Sequence, residues 1–386
     1  MPDTHTTRDA NPRWDRKAQR YWESVTEGAT LEQLWKQFRS DARQSYALYS
    51  REVNWDEIKA KKKPFSRWAH SVWAVFQSLL MKLSPARRVL LLAVTALVLF
   101  PLPAILAGAP DPGLARLLAV GAAALFGLLA LELADRVTMK RDLEIAREIQ
   151  RWLVPSKPPD VPGAEIAFAT RPANTVAGDY YDVLRHPANG EERWLIVVAD
   201  VAGKSIPAAL LMATFQASLH ALLTAMPRLS DLIAGLNRYA CDHSQDGRRF
   251  TTALFAEYEP SSRRLTYINA GHNAAILRRA SGSFEFLAST GLPLGIPAPA
   301  GVVSTYAETT LQLAPGDTLV VFTDGLVEAI NAQGLEYGEE RLVDALRTSG
   351  QESATTLLDR LLADVGLFVG ETHQQDDITC LVFRCV

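Results

Sequence analysis

Four acidic motifs stand beside apolar, strand-like runs in the second half of the chain. Asp200, Asp324 and Asp376 lie where a predicted strand begins or ends, so a rigid element holds each one while its carboxylate can project into a shared cleft. The four are Asp179 in GDYYD, Asp200 in ADVAGK, Asp324 in FTDG and Asp376 in DDIT.

Carboxylates gathered in this way suit hard divalent cations. Mg²⁺ and Mn²⁺ prefer oxygen ligands and keep several of their waters. Two such ions about 3.5–4 Å apart can share a water and lower its pKa, which makes a nucleophile for phosphoryl transfer. That chemistry requires no serine, cysteine or histidine nucleophile.

Each motif alone has a plainer interpretation. An Asp-Gly pair after a strand, as at Asp324, is usually a turn, and an aspartate that opens a helix is usually a cap. The sequence Gly203-Lys204-Ser205 resembles the end of a phosphate-binding loop, but Val198 stands where that loop needs its first glycine. Lys204 is then either near a substrate phosphate or a solvated lysine. His272 is either a structural histidine in a turn or an acid–base group.

The order of the motifs carries a family resemblance. The chain contains AREIQRWLVP, GDYYD, ADVAGK, TTALFAEY, NAGHNAAIL, GLPLGI, PGDTLVVFTDGLVEA and DDIT, in that order. Together they resemble the SpoIIE/RsbU-type branch of the PPM metal-dependent protein phosphatases. The resemblance covers roughly residues 140–386 and leaves residues 1–135 without a match.

The resemblance implies a fold, a reaction and a set of ligands. The expected α+β fold is an α-β-β-α sandwich of two antiparallel sheets. The expected reaction removes phosphate from serine or threonine, commonly on a STAS-type anti-sigma-factor antagonist, through a metal-activated water and two Mn²⁺ or Mg²⁺ ions. The implied metal ligands are Asp179, Asp200 (bridging), the carbonyl of Val201, Asp324 and Asp376. Near-site candidates are Gly203, Lys204, Asp182 and Asp377, and the last two are expected to be more structural.

Two positions depart from the family pattern. Ala177 stands where a glycine usually precedes GD, and Ser205 replaces the last glycine of GKG. Alanine is tolerable only where the backbone keeps a negative φ, because a Cβ disfavours the left-handed region. All four metal aspartates are present, so we expect an active enzyme.

The elements that position these residues follow from periodicity. Apolar runs typical of strands occur at 165–170, 194–199, 251–258, 264–269, 274–278, 304–311, 318–322 and 378–384. Helical patterns occur at 206–223, 229–243, 339–346 and 353–368. Short turns between consecutive strands predict antiparallel pairing, and the grouping of the helices predicts sheet packed on sheet with helices outside.

Composition excludes some classes of function. The net charge is −3, with 48% apolar and 22% charged residues, so nothing indicates a nucleic-acid partner. The three cysteines form no disulfide framework and no metal-ligand spacing, which favours a reducing, cytosolic compartment.

The N-terminal part has the composition of a membrane anchor. Residues 89–106 and 114–131 are apolar runs joined by AGAPDPG, and a bilayer core needs about 20 apolar residues. Pro101 and Pro103 weaken the first run, and a buried soluble hairpin is the alternative. Lys and Arg flank both runs but are missing from the connector, so the positive-inside rule places both termini in the cytosol of a bacterial cell.

Four regions are therefore predicted: a cytosolic helical segment (1–88), a two-helix transmembrane hairpin (89–134), a linker helix (135–155) and the phosphatase-like domain (156–386). The stretch 65–83 is either a membrane-surface helix or part of a small core. The apolar side of the linker helix either pairs with its twin in a homodimer or packs on the following domain. Two rivals to a protein phosphatase remain: a catalytically weak platform of the same fold, and a two-metal hydrolase of small phosphoesters.

Overall fold

The computed structural model describes residues 83–100, 112–186, 190–244, 247–297, 306–350 and 352–386, with isolated positions between 70 and 81. The predicted segment 1–88 lies almost entirely outside the described residues, as do Pro101, Pro103 and most of the connector between the two apolar runs. The chain divides into two compact units, residues 1–135 and 136–386.

Two helices are described for the first unit, and the second of them continues past residue 135. Helix α1 spans Pro85–Leu99, with proline at its first position, and α2 spans Pro112–Leu153. Gly121 lets α2 approach α1 closely, because a Cβ there would lie 2.8 Å from Cγ2 of Val98. Arg87 of α1 donates to Asp135 at 2.6 Å and to Glu132 at 3.3 Å. The second predicted span and the predicted linker helix are therefore one continuous helix of 42 residues.

By length and apolar composition, two described helices could cross a bilayer, α2 and a later helix, Ser205–Leu223. Ser205–Leu223 places Met212, Phe215 and Leu219 in the core of the second unit, which is how an apolar helix of a soluble domain is buried.

The second unit contains ten strands and five more helices among its described residues. The strands are β1 (Ala164–Arg171), β2 (Tyr180–Arg185), β3 (Trp194–Val201), β4 (Thr251–Glu259), β5 (Arg264–Ala270), β6 (Ala275–Arg278), β7 (Phe284–Leu287), β8 (Thr309–Gln312), β9 (Thr318–Phe322) and β10 (Ile378–Cys385). The helices are α3 (Ser205–Leu223), α4 (Leu229–Asp242), α5 (Asp324–Val327), α6 (Gly338–Thr348) and α7 (Ala354–Val369).

The strands form two five-stranded sheets. The first sheet has the order β1-β10-β9-β6-β7 and the second has the order β2-β3-β4-β5-β8. Every ladder in both sheets is antiparallel. The antiparallel α+β architecture expected from the sequence is confirmed.

The alternating direction of side chains along the strands produces three apolar layers, one between the two sheets and one between each sheet and its helices. In β10, Leu381 and Phe383 face the other sheet, whereas Cys380 and Val382 face α6 and α7. On the second sheet, Val197 and Phe255 face α3 and α4. Successive residues of a strand point to opposite faces, so each strand supplies both the inter-sheet layer and one helix layer. The result is the expected α-β-β-α sandwich.

Several element boundaries differ from the sequence-based expectation. Strands β2 and β7 were not predicted, and α5 forms where Asp324-Gly325 alone indicates a turn. The strand predicted at 304–311 is the shorter β8, and residues 304 and 305 lie outside the described residues. The remaining strands and helices agree with the prediction within about two residues.

Candidate metal centre

Two of the predicted ligands meet through the register of the second sheet. In the β2–β3 ladder, Tyr180 pairs with Ala199, so the next position out places Asp179 opposite Asp200. Both aspartates share the alternation of Tyr181 and Val198, which face the first sheet. The two carboxylates therefore point between the sheets at one edge of the sandwich.

The first sheet supplies the other carboxylates at the same edge. Asp324 begins α5 just after β9, and Asp376 and Asp377 precede β10. The hydroxyl of Thr323 joins the two sheets, because it donates to Asp179 Oδ2 at 2.9 Å and accepts from the Thr379 N–H at 2.9 Å. We call the five carboxylates Asp179, Asp200, Asp324, Asp376 and Asp377 the acidic rim.

Asp377 fixes the loop that leads into β2. Its Oδ1 accepts from the Ala173 N–H and its Oδ2 from the Gly178 N–H, each at 2.7 Å. Both oxygens of this carboxylate are therefore used by the backbone. Asp377 positions Gly178 and Asp179, whereas Asp376 next to it is directed to Lys204.

The acidic rim holds more negative charge than its surroundings balance. Burial raises the pKa of Asp179 well above its usual range, and repulsion from Asp200 raises it further. Burial together with the charges of Asp324 and Asp376 raises the pKa of Asp200 to about 7. The pKa values of Asp324 and Asp377 are also raised, first by burial. Buried carboxylates that repel one another in this way are stabilised by a bound cation.

These residues fit hard divalent cations by the chemistry of their donors. Four carboxylates converge, and the carbonyl oxygen of Val201 lies beside them, only 3.1 Å from where a Cβ on Gly178 would stand. All are oxygen donors of the kind that Mg²⁺ and Mn²⁺ prefer. As the side chains stand, no three acidic, histidine or cysteine groups within the described part of the chain already enclose one point as a cage.

The side chain of Asp182, a near-site candidate expected to be more structural, points away from the acidic rim. It shares the alternation of Tyr180, which faces α3, so its side chain points to the helix layer. Its Oδ2 accepts from the Tyr180 hydroxyl at 2.7 Å and contacts Nε2 of His220 on α3 at 3.1 Å. Asp182 therefore joins β2 to α3 rather than serving the metal centre.

Gln150, near the end of α2, holds the segment before Asp179. Its Oε1 accepts from the Ala177 N–H at 3.0 Å, and its Nε2 donates to the Ala177 carbonyl at 2.6 Å. Gln150 belongs to the motif AREIQRWLVP, but sequence reasoning did not single it out because helical spacing gives no sign of a backbone partner. Ala177 does not have a positive φ, so the condition for tolerating alanine there is met.

Ser205 occupies a backbone conformation that favours glycine. It opens α3 with φ 62°, two residues after Gly203, which has φ 118°. A non-glycine residue in the left-handed region costs about 1–2 kcal/mol. The family departure at Ser205 therefore places strain beside the acidic rim.

We expect Ser205→Gly to stabilise the protein by about 0.5–1 kcal/mol, since the relief of strain exceeds the added entropy of the unfolded chain. Chemical denaturation monitored by circular dichroism measures this change. Ala202→Gly is the matched control, because Ala202 has an ordinary φ and its replacement by glycine should destabilise. A lower stability of Ser205→Gly would contradict the assignment of strain.

His272 is a structural histidine. It is 5% exposed, its ring Nδ1 lies 2.9 Å from the Thr252 hydroxyl, and its backbone N–H donates to Asn269 Oδ1 at 2.7 Å. Burial lowers the pKa of His272 to about 4, and the carbonyl of Phe322 opposes that change. The imidazole is therefore neutral in the folded protein at physiological pH.

His272 should make the fold sensitive to mild acid. The unfolded chain binds a proton at His272 near pH 6.5, whereas the folded chain resists until about pH 4. Stability is therefore lost as pH falls from about 6.5 to 4, by at most about 1.4 kcal/mol per pH unit. Denaturation curves at pH 5 and 7.5 should differ less for His272→Gln than for the wild type. Equal pH dependence in the two proteins would refute this role.

Comparisons with known proteins bear on the family to which the chain belongs. A family model, Stage II sporulation protein E (SpoIIE), matches residues 190–386. The chain is 30% identical over 250 residues to the phosphoserine phosphatase RsbU of Bacillus subtilis, covering 64% of this chain and 70% of RsbU. It is 23% identical to the phosphoserine phosphatase RsbP of the same organism, covering 64% of this chain and 58% of RsbP.

A solved structure shows the same fold. The SiaA-PP2C domain of Pseudomonas aeruginosa aligns with a TM-score of 0.56 at 22% identity, over 65% of this chain and 98% of that domain. The family model covers Asp200, Asp324, Asp376 and Asp377 of the acidic rim, whereas Asp179 lies before its first matched residue. The chain belongs to the SpoIIE family of PPM-type serine/threonine protein phosphatases.

Proposed function

We propose that the second unit hydrolyses phosphoserine or phosphothreonine on a partner protein, with two divalent cations held by Asp179, Asp200, Asp324, Asp376 and the carbonyl of Val201. The observation that carries the proposal is the convergence of these carboxylates from both sheets, with their pKa values raised by burial and mutual repulsion. Such charge is costly to bury unless a cation is part of the working site.

The residues in and around the acidic rim would have different roles in this reaction. A bound divalent cation supplies positive charge that balances phosphate oxygens and makes a water easier to deprotonate. At the edge of the two sheets, the carboxylates of Asp200 and Asp324 would orient the bound cation and the phosphate. Thr323 and Asp377 hold Asp179 and its loop in place by hydrogen bonds. Lys204 offers an ammonium at the mouth of the cleft, where its side chain is 56% exposed.

The surroundings of the rim suit a protein substrate. A cavity of about 460 Å³ adjoins Asp376 and Lys204, and its lining includes Arg171, Glu328 and Gln374. No phenylalanine, tyrosine or tryptophan is among the described residues that line it, so it lacks the large aromatic side chains on which nucleobases commonly stack. This favours a peptide segment over a nucleotide. The relatives RsbU and RsbP are phosphoserine phosphatases, and the resemblance of the motifs to the SpoIIE/RsbU-type branch leads us to propose a phosphorylated STAS-type protein as the substrate.

Phosphate release from the purified full-length chain tests the activity. We expect release from a phosphoserine protein with Mn²⁺, none with a chelator, and little from nucleoside monophosphates. A well-folded chain that binds phosphoproteins without releasing phosphate would favour the platform of the same fold. Preference for nucleotides would favour the small-phosphoester hydrolase.

We further propose that the apolar hairpin anchors the chain in the cytoplasmic membrane with both termini and the second unit in the cytosol. The 42-residue α2 supports this, because its N-terminal half is apolar and long enough to cross a bilayer. The flanking Lys and Arg residues support the orientation. A cysteine placed in the connector should react with an impermeant thiol reagent on intact cells, whereas one placed in 156–163 should not.

The exposed side of α2 supports a homodimer. Ile145, Ile149 and Trp152 are 48%, 49% and 74% exposed and lie on one helical face. Isolated apolar residues need no explanation, but an exposed apolar stripe on a helix fits a twin helix. We expect Ile149→Glu to shift the detergent-solubilised chain from dimer to monomer in light scattering. Glu148→Gln, on another face, should leave the mass unchanged.

A further inference from the structure

One lysine reaches across the acidic rim from one sheet to the other. Lys204 lies between β3 and α3 of the second sheet, and its Nζ contacts Asp376 Oδ2 at 2.9 Å. The same Nζ donates to the carbonyl of Gln375 at 3.0 Å. Asp376 and Gln375 belong to the loop before β10 of the first sheet. The ammonium therefore forms an ion pair with a carboxylate that the proposed function assigns to a metal ion.

The backbone around Lys204 directs this reach. Gly203 and Ser205 on either side have φ of 118° and 62°, whereas Lys204 itself is extended with φ −132° and ψ 157°. Two flanking left-handed residues turn the chain sharply before and after Lys204. The side chain consequently leaves α3 and points to the opposite loop. A serine in the left-handed region is strained, and such strain persists only where the surrounding structure fixes the backbone conformation. The conformation of Ser205 therefore indicates that the turn around Lys204 is fixed by its surroundings.

The ion pair is placed to be exchanged rather than permanent. The side chains of Lys204 and Asp376 are 56% and 42% exposed, and ion pairs at such exposed positions contribute little to stability. The hydrogen bond to Asp376 raises the pKa of Lys204, with smaller contributions from Asp324 and Asp377. The ammonium therefore remains charged and partly balances the acidic rim.

We propose that Lys204 is a tethered counter-ion that competes with one of the two divalent cations for Asp376. When the cation is absent, the ammonium pairs with Asp376. When the cation binds, the ammonium is released into the cleft beside the 460 Å³ cavity, where it can contact a phosphoryl oxygen of the substrate. Lys204 thereby sets the metal concentration at which the site fills. This inference rests on the proposed metal-dependent function.

Mn²⁺ binding to the full-length chain tests the competition without any activity measurement. Isothermal titration calorimetry, with free Mn²⁺ followed by electron paramagnetic resonance, should resolve the weaker of two sites. We expect Lys204→Met to tighten that site by about three- to tenfold, because a competing charge is removed. Lys204→Arg should stay near the wild type, and Lys157→Met, at an exposed lysine outside the rim, should change nothing.

The direction of the change separates competition from a structural role. If Lys204 merely braced the loop before β10, Lys204→Met would bind Mn²⁺ more weakly, and unchanged or weaker binding overturns the proposal. Lys204→Gln provides a second neutral variant if Lys204→Met fails to fold. A wild type that binds no Mn²⁺ would instead sink the proposed function itself. At saturating Mn²⁺, the released ammonium predicts a higher KM for Lys204→Met with a smaller change in kcat.

Discussion

Asp200→Asn should reduce metal-dependent phosphate release by at least about 100-fold while making the metal-free protein more stable. The loss follows because Asp200 lies at the centre of the acidic rim and is the residue expected to serve both cations. The gain follows because burial and the charges of Asp324 and Asp376 raise its pKa to about 7. An acid whose pKa is raised by folding destabilises the fold as pH rises through that range.

The stabilisation should therefore appear at pH 8 and vanish near pH 4. At pH 8 in chelator, we expect the free energy of unfolding of Asp200→Asn to exceed that of the wild type by about 1–3 kcal/mol, because a shift of one pKa unit corresponds to about 1.36 kcal/mol. Phosphate release and chemical denaturation measure the two effects separately. Asp160→Asn, at an exposed aspartate before β1, is the control and should change neither. An active Asp200→Asn would remove the basis of the metal centre.

Gly325→Ala should disable the enzyme through geometry alone. A Cβ on Gly325 would stand 2.0 Å from the carbonyl oxygen of Asp377 and 3.3 Å from the carbonyl carbon of Asp376. The obstacle is backbone rather than a flexible side chain, so α5 and the loop before β10 must separate. That movement pulls Asp324 away from Asp376. A displacement of about 1 Å can cost about 100-fold in rate, and overpacking costs about 1–3 kcal/mol.

Thermal unfolding and phosphate release at saturating Mn²⁺ measure the two consequences. Gly350→Ala is the matched control, because a Cβ at Gly350 would meet no atom within 4 Å. Its stability and activity should stay close to those of the wild type. A Gly325→Ala protein with normal activity would show that the two loops do not need their close approach.

The fold was predictable where apolar alternation was long. Strands such as Trp194–Val201 and Ile378–Cys385 are buried on both faces and read as continuous apolar runs. Strand β2 was missed because its sequence YYDVLR contains two charged residues, Asp182 and Arg185, and begins inside the GDYYD motif. Strand β7 was missed because it has four residues, two of them exposed. Short strands take their conformation from their neighbours rather than from their own pattern.

The residue types of the site were predictable, but which aspartates lie opposite one another and which groups they contact were not. Spacing showed that aspartates lie at strand ends, yet the register that opposes Asp179 to Asp200 is set by contacts distant in sequence. The different roles of Asp376 and Asp377 depend on which carboxylate meets the backbone of Ala173 and Gly178. The position of Asp182 would have followed from alternation, had β2 been recognised. The contact between Gln150 and Ala177 depends on where α2 lies, and no local pattern encodes that.

The position of β10 in its sheet has a consequence for biosynthesis. Although β10 spans Ile378–Cys385, it lies between β1 and β9, the first and ninth strands in chain order. While the residues beyond 377 of a nascent polypeptide are still inside the ribosome, β10 cannot form its ladders with β1 and β9. The first sheet then has a gap between those two strands. Catalysis should therefore switch on in one step, only after those residues emerge, and premature termination upstream of β10 should leave no partly active fragment.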